Sequence, residues 1–288
     1  MYTDPQPPFE SWEELYPEDY PAHQIPTKPR RWHTSWRKQW DRWLLSLYRG
    51  YHAEGRGSHR GRLATIMAPL LGRCVDPYVL PAPSPKGARL LDFGCGSGRY
   101  LAKMRSLGWD VLGVDLSERA VKQARQAFDV PAVVGSIPSR DLPANSFDLI
   151  TAWEVLEHLQ RPRQALAGIR ALLRHGGRLV LTVPNQTGWA ARYFGPDWVG
   201  LDLPRHLTHF SPATLGAMLN IEGFRVIHMS TICHSGWIRH SAKRHRARNP
   251  SLRVGLLTTH AYSSLISRLA KRSGRAESIY VVAQPVDK

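Results

Sequence analysis

The 288-residue chain carries 39 Lys and Arg against 23 Asp and Glu, a formal charge of +16, which points to an anionic partner: nucleic acid, a membrane surface or an acidic substrate. Its length suits one large α/β domain with appendages. Cys74, Cys95 and Cys233 stand far apart with no CxxC pair, which argues against a disulfide framework or a zinc ribbon; no basic start precedes an apolar run, and no stretch nears the roughly 18 apolar residues of a spanning helix.

Residues 1–30 are rich in Pro, acidic groups and Tyr or Trp without a sustained period, and read as an extended arm, partly disordered. From Trp32 the pattern changes: Trp32, Trp36, Trp40, Trp43, Leu44, Leu47 and Tyr51 recur at helical spacing with charged residues between them. This predicts an amphipathic helix in an N-terminal helical region (31–87) that closes with the proline-rich connector "VDPYVLPAPSPKG". The helix packs on the domain, or serves as a substrate lid or a membrane-surface helix.

Strand-like and helix-like segments then alternate. "ARLLDFG", "DVLGVDLS", "AVVGS", "FDLITAW", "RLVLTVPN", "RVIHMST" and "SIYVVAQ" read as strands. The helices between them are "GRYLAKMRSLG", "ERAVKQARQAF", "RQALAGIRALLRHGG" (163–177) and "PATLGAMLNIEGF", the last capped by Ser211 with Pro212 first in the helix. Such alternation predicts an α/β fold: a Rossmann-like, doubly wound, seven-stranded, mostly parallel sheet with the N-terminal helical extension. The domain spans 88–288, with a basic insertion at 232–277 that is helical in its second half.

"LLDFGCGSGRY" places Gly94, Gly96 and Gly98 directly after a strand and before a helix, where glycines allow a tight turn and close approach of a ligand to the backbone. Asp115 ends the next strand about 20 residues on, where a carboxylate can accept ribose hydroxyls of a nucleoside cofactor. The competing reading makes Asp115 a helix N-terminal acid ahead of "LSERA". The loop is GxGxG, not GxGxxG, and it follows Asp92; an acid beside it suits a cationic amino group better than phosphates.

These residues resemble the class I methyltransferases that use S-adenosylmethionine. Asp92 to Gly98 match their first motif, Asp115 their ribose acid, "NSFDLITAWEVLEHL" their fourth-strand motif and "LLRHGGRLVLTVPN" their fifth. The resemblance covers about 88–231 and a final strand at 278–284. It implies that Asp92 and the loop backbone (Gly94, Cys95, Gly96, Gly98) hold the methionine part and Asp115 with Leu116 the ribose and adenine. It further puts Ser136 and Ile137 at the adenine amino group, and Trp153 and Glu154 near the sulfonium. "PRHLTHFS" and "LYPEDYPAHQ" resemble a bacterial subgroup related to ubiquinone-pathway O-methyltransferases, which implies small-molecule, lipid or glycan acceptors.

"AWEVLEHLQRP" sets Glu154, Glu157 and His158 after the fourth strand, facing the crevice beyond the strands' carboxyl ends. His158 is the leading base for the acceptor's proton, with Glu154 on the cofactor side. If 154–158 form a helical turn, Glu154, Glu157 and His158 share one face and hold a divalent metal; the order resembles the metal pattern of ubiquinone-pathway enzymes. A third reading leaves Glu157 and His158 as braces of the turn. Further on, Trp189, Tyr193, Phe194 and Trp198 supply apolar walls to an acceptor loop, with His209 a second base candidate and His206 in packing. The (Asp/Asn)-Pro-Pro-aromatic run of DNA base methylation is absent after the fourth strand.

The function expected is O-methylation of a small molecule, lipid or glycan. RNA methylation, or a non-catalytic S-adenosylmethionine-binding or basic interaction protein on the same fold, are the alternatives. The basic segments offer contact with RNA or an anionic membrane, and the expected place is the cytoplasm, with peripheral membrane contact open.

Overall fold

The computed structural model describes Tyr78 and residues 87–139, 141–248 and 252–286. The arm at 1–30, the tryptophan-rich helix and, apart from Tyr78 and Gly87, the connector lie outside these residues.

Seven strands make one sheet in the order β3-β2-β1-β4-β5-β7-β6. β1 (Arg89–Phe93), β2 (Asp110–Asp115), β3 (Ala132–Val134), β4 (Phe147–Trp153) and β5 (Leu173–Pro184) pair in parallel. β7 (Ser278–Pro285) enters antiparallel between β5 and β6 (Phe224–Ile232). The strand order reverses at β1, which lies between β2 and β4, and so opens a crevice beyond the carboxyl ends of β1 and β4.

Helices cover both faces, which is why the central strands are nearly continuous apolar runs. Successive residues of β1 point to opposite layers. Leu90 joins Leu101 and Met104 of α1 (Arg99–Ser106) and Val121 and Ala124 of α2 (Glu118–Phe128). Leu91 joins Leu166 and Ile169 of α3 (Pro162–Leu172), in one cluster with Leu215 and Leu219 of a later helix, Pro212–Ile221. That helix starts as expected: the Ser211 hydroxyl accepts from Thr214 N at 3.1 Å, the Thr214 hydroxyl lies 2.9 Å from Ser211 N, and Pro212 is first.

Two expectations on element bounds are corrected. The helix expected over 163–177 stops at Leu172 and β5 begins at Leu173; Phe147 pairs with Leu173, and pairing resumes at Leu149 with Arg178 after an irregular stretch. Gly176, in that irregular stretch, has φ +76°, which glycine takes at little steric cost. The insertion is helical in both halves. With α4 (Trp189–Phe194) and α5 (Pro212–Ile221) before it, it contributes α6 (Ser235–Arg248), α7 (Leu252–Leu257) and α8 (His260–Arg272). Ile238, Ala242, Val254 and Leu257 of the insertion form a separate core with Ala190, Phe194 and Trp198. No helix among the described residues is long and apolar enough to cross a membrane.

Candidate functional site

Gly94, Gly96 and Gly98 between β1 and α1 all take positive φ, at 75°, 51° and 77°. Two of them serve the protein's own packing. A Cβ on Gly94 would stand 2.5 Å from Val155, and one on Gly98 2.6 Å from Ala124 of α2. Gly96 instead donates its amide to Asp115 Oδ2 at 2.8 Å, while Asp115 Oδ1 accepts from Ser117 N at 2.9 Å. The cap of α2 is Ser117, whose hydroxyl accepts from Ala120 N. Asp115 therefore ties the glycine loop to the end of β2, and each carboxylate oxygen keeps lone-pair capacity for a further donor.

Asp92 is buried, and its Oδ1 accepts from Thr151 Oγ1 at 2.6 Å. Burial pushes its carboxyl up to about 7, against the Thr151 hydrogen bond. Among the described residues no Lys or Arg pairs with it. A buried carboxyl without a cation fits the amino group of S-adenosylmethionine. Cys95 is a packing residue: a Cβ on Gly113 would come 2.6 Å from its Sγ, and burial pushes the thiol up, away from the reactive thiolate. Leu116 and Ser136 are half-buried past β2 and β3. Ile137 departs from the expectation. It is buried in the core, where a Cβ on Gly168 of α3 would meet its Cγ2 at 2.7 Å, so its side chain is committed to packing.

After β4 the chain does not form the expected helical face. Glu154 has φ +54°, a left-handed conformation uncommon outside glycine, and a 3-10 turn spans Leu156–His158. The Glu154 carboxylate gathers with Thr182, Ser278 and Glu157. These groups influence one another, yet none reaches hydrogen-bonding geometry: both oxygens of Glu154 and of Glu157, Thr182 Oγ1 and Ser278 Oγ are buried without a partner among the described residues. Burial pushes Glu154 up to about 7. Glu157 rises well above the carboxylate range through burial and then the Glu154 charge.

His158 Nδ1 lies 3.2 Å from Arg205 O, and His206 Nδ1 lies 2.9 Å from Gly200 O. A carbonyl only accepts, so each neutral ring carries its proton on Nδ1 and its lone pair on Nε2. Burial holds His158 down at about 3 and lowers His206 as well. The rings meet edge to face at 4.6 Å, and Glu157, His158 and His206 each bring a ligating atom within 4.8 Å of the others. Backbone pairing assembles this group: the amides of Leu207 and Thr208 donate to Glu157 O at 2.7 and 3.1 Å. The set expected for a metal is thus altered, with His206 in and Glu154 out. His209, the expected second base, is buried and outside the group.

Trp153 is met edge-on by Tyr78 and Tyr100 at 4.9 and 5.5 Å, and its buried Nε1 has no partner among the described residues. The Tyr78 hydroxyl lies 3.2 Å from His234 Nε2, and His234 stacks on Trp237 of α6 at 4.9 Å. An aromatic row therefore runs from α1 to the insertion. The sequence reading identified Trp153 and missed Tyr78, His234 and Trp237, although "CHSGW" directly after β6 carried a signal. Phe194 and Trp198, expected as acceptor walls, are instead buried in the insertion core.

The sheet order, the glycine loop tied to Asp115 and the uncompensated Asp92 define an S-adenosylmethionine-dependent methyltransferase. The methyltransferase domain family matches residues 62–229, and the chain belongs to it. The ubiquinone biosynthesis O-methyltransferase of Xanthomonas axonopodis pv. citri is 34% identical over 185 residues, covering 59% of this chain and 74% of the relative. Its counterpart in Xanthomonas campestris pv. campestris is 32% identical over the same length. A Haloferax volcanii protein solved in complex with the Trm112 methyltransferase activator aligns with TM-score 0.52 at 18% identity, over 70% of this chain and 84% of that one. This last likeness speaks for the fold alone.

Proposed function

We propose that the protein methylates an oxygen of a small-molecule, lipid or glycan acceptor, with Glu154 taking the acceptor's proton. One observation carries this reading: the buried, unpartnered carboxyl pair Glu154 and Glu157 just past β4, beside the switch-point crevice. Buried polar atoms are almost always satisfied, so this pair suits a ligand that donates hydroxyl groups. The O-methyltransferase names of the Xanthomonas relatives favour oxygen as the target.

S-adenosylmethionine supplies an electrophilic methyl group on a positively charged sulfur. Asp92 and the Gly96 loop would hold its amino-acid end and Asp115, Leu116 and Ser136 its nucleoside, with Trp153 toward its sulfonium end. As the acceptor oxygen gains the methyl group, its proton passes to Glu154, whose value near 7 suits a base working at neutral pH. His158, held near 3, is a weak base; its Nε2, fixed by the Nδ1 contact to Arg205 O, accepts a hydrogen bond and orients the acceptor.

The pH dependence separates the two bases. With Glu154 as base, kcat/KM for the acceptor at saturating S-adenosylmethionine rises with pH through about 7 and then levels, and Glu154→Gln removes that limb with a loss of about 10²–10⁴-fold while S-adenosylhomocysteine affinity is kept. A native profile flat from pH 5 to 8 sinks the assignment. Methyl-labelled cofactor incubated with separated RNA, protein, lipid and glycan fractions tests the acceptor class; label confined to RNA overturns it.

The cluster of Glu157, His158 and His206 favours a second reading in which a metal ion orients the acceptor oxygen. Two imidazoles backed by carbonyls and one carboxylate suit zinc, iron(II) or manganese better than magnesium. Elemental analysis of the purified protein, native against His206→Ala, tests it: no bound metal in the native protein removes this reading.

A further inference from the structure

We propose that the outer face of α8 docks the protein on an anionic phospholipid surface. α8 carries apolar side chains on its outer face as well as on its inner one. Tyr262 and Ile266 pack against the insertion core beside the buried Ser263, Ser267 and Ala270, whereas Leu265 and Leu269 are 50% and 47% exposed. Leu265, Arg268, Leu269 and Arg272 fall at i, i+3, i+4 and i+7, one face of the helix. Leu256, at the end of α7, is a third large apolar side chain exposed to 41%.

The helix is held in this orientation. Ser267 Oγ donates to the buried Glu277 carboxylate, outside the helix, at 2.5 Å. Rolling α8 to hide its leucines would break this bond and pull Tyr262 and Ile266 off the insertion core, so the leucines face outward as part of the folded state.

Charge names the occupant. Between Ser235 and Arg275 the sequence holds ten Lys or Arg and no Asp or Glu. Among the described residues no ion pair engages Arg268, Lys271 or Arg272. Leucines with arginines on one helical face match a bilayer, where aliphatic groups sink below the headgroups and guanidinium groups stay at the phosphates. An RNA-binding face instead relies on aromatic rings that stack bases, and this face offers aliphatic ones. The inference is independent of which acceptor is methylated.

The test is flotation of the full chain with phosphatidylcholine vesicles, with and without phosphatidylglycerol. Native protein is expected to float with the anionic vesicles, more weakly as salt rises, and to leave neutral ones unbound. Leu265→Ser with Leu269→Ser, and separately Arg268→Gln with Arg272→Gln, should each cut the bound fraction about tenfold with unchanged Tm and S-adenosylhomocysteine affinity. The second pair alters no apolar contact, so it decides the matter if the first lowers Tm. Absence of binding to anionic vesicles, or full binding by either normally folded variant, overturns the proposal. So does single-stranded RNA that displaces the vesicles and binds both variants as well as it binds the native chain.

Discussion

The two halves of the sheet treat their polar groups in opposite ways. Around β1 and β2, Asp115 is engaged by the amides of Gly96 and Ser117, Ser117 caps α2, and two of the three loop glycines are accounted for by contacts with Val155 and Ala124. Around β4, β5 and β7, the carboxylates of Glu154 and Glu157 and the hydroxyls of Thr182 and Ser278 are buried without partners among the described residues. The first half satisfies its polar groups within its own chain, whereas the second leaves four of them buried together. A cofactor of fixed chemistry permits the first arrangement; if Glu154 and Glu157 serve the acceptor as proposed, the second leaves room for acceptors of differing chemistry.

This contrast can be broken at graded cost. The largest effect is expected for Gly98→Ala, which forces a side chain into the left-handed region and against Ala124 and Val130; thermal unfolding should show a loss of about 3 kcal/mol. Asp115→Ala should weaken S-adenosylhomocysteine binding by about 2 kcal/mol in calorimetry, since it removes a charged acceptor and frees the loop. Asp92 sharpens the comparison through pH. A cation favours its carboxylate, and the free carboxyl sits near 7, so cofactor affinity should fall by up to about tenfold per unit below that pH. The smallest effect lies in the acceptor half. Glu157 is raised in the folded state, so it keeps a proton the unfolded chain has lost, and native stability falls as pH rises through that window. Glu157→Gln should therefore gain about 1 kcal/mol over the native protein at pH 8 and little at pH 4.5 in paired denaturant titrations.

The contrast also explains what the sequence made legible. The strands and the glycine loop were readable because each is a local pattern: alternating elements, a GxGxG turn, an acid at the end of the next strand. Glu157 and His158 were readable as neighbours. His206 was not, because it reaches them through the Leu207 and Thr208 amides on Glu157 O, a tertiary pairing with no periodic trace. The helical face expected at 154–158 failed for a similar reason: φ +54° at Glu154 reverses the chain before the 3-10 turn begins, and only the surrounding structure holds it there. Ile137 was legible as apolar, but not as packed beneath Gly168 instead of against adenine.

β6 and β7 are direct neighbours, with Ile232 opposite Ser278. Topologically they are a hairpin whose turn has been replaced by a three-helix module. The register is fixed by the strands themselves, so the module is an exchangeable attachment that could be lengthened, trimmed or swapped without disturbing the sheet. Its two roots, however, reach the site: His234 lies in the aromatic row and Ser278 beside Glu154. Exchanging the module would therefore alter the surroundings of Trp153 and Glu154 while the strand pairing stays as it is.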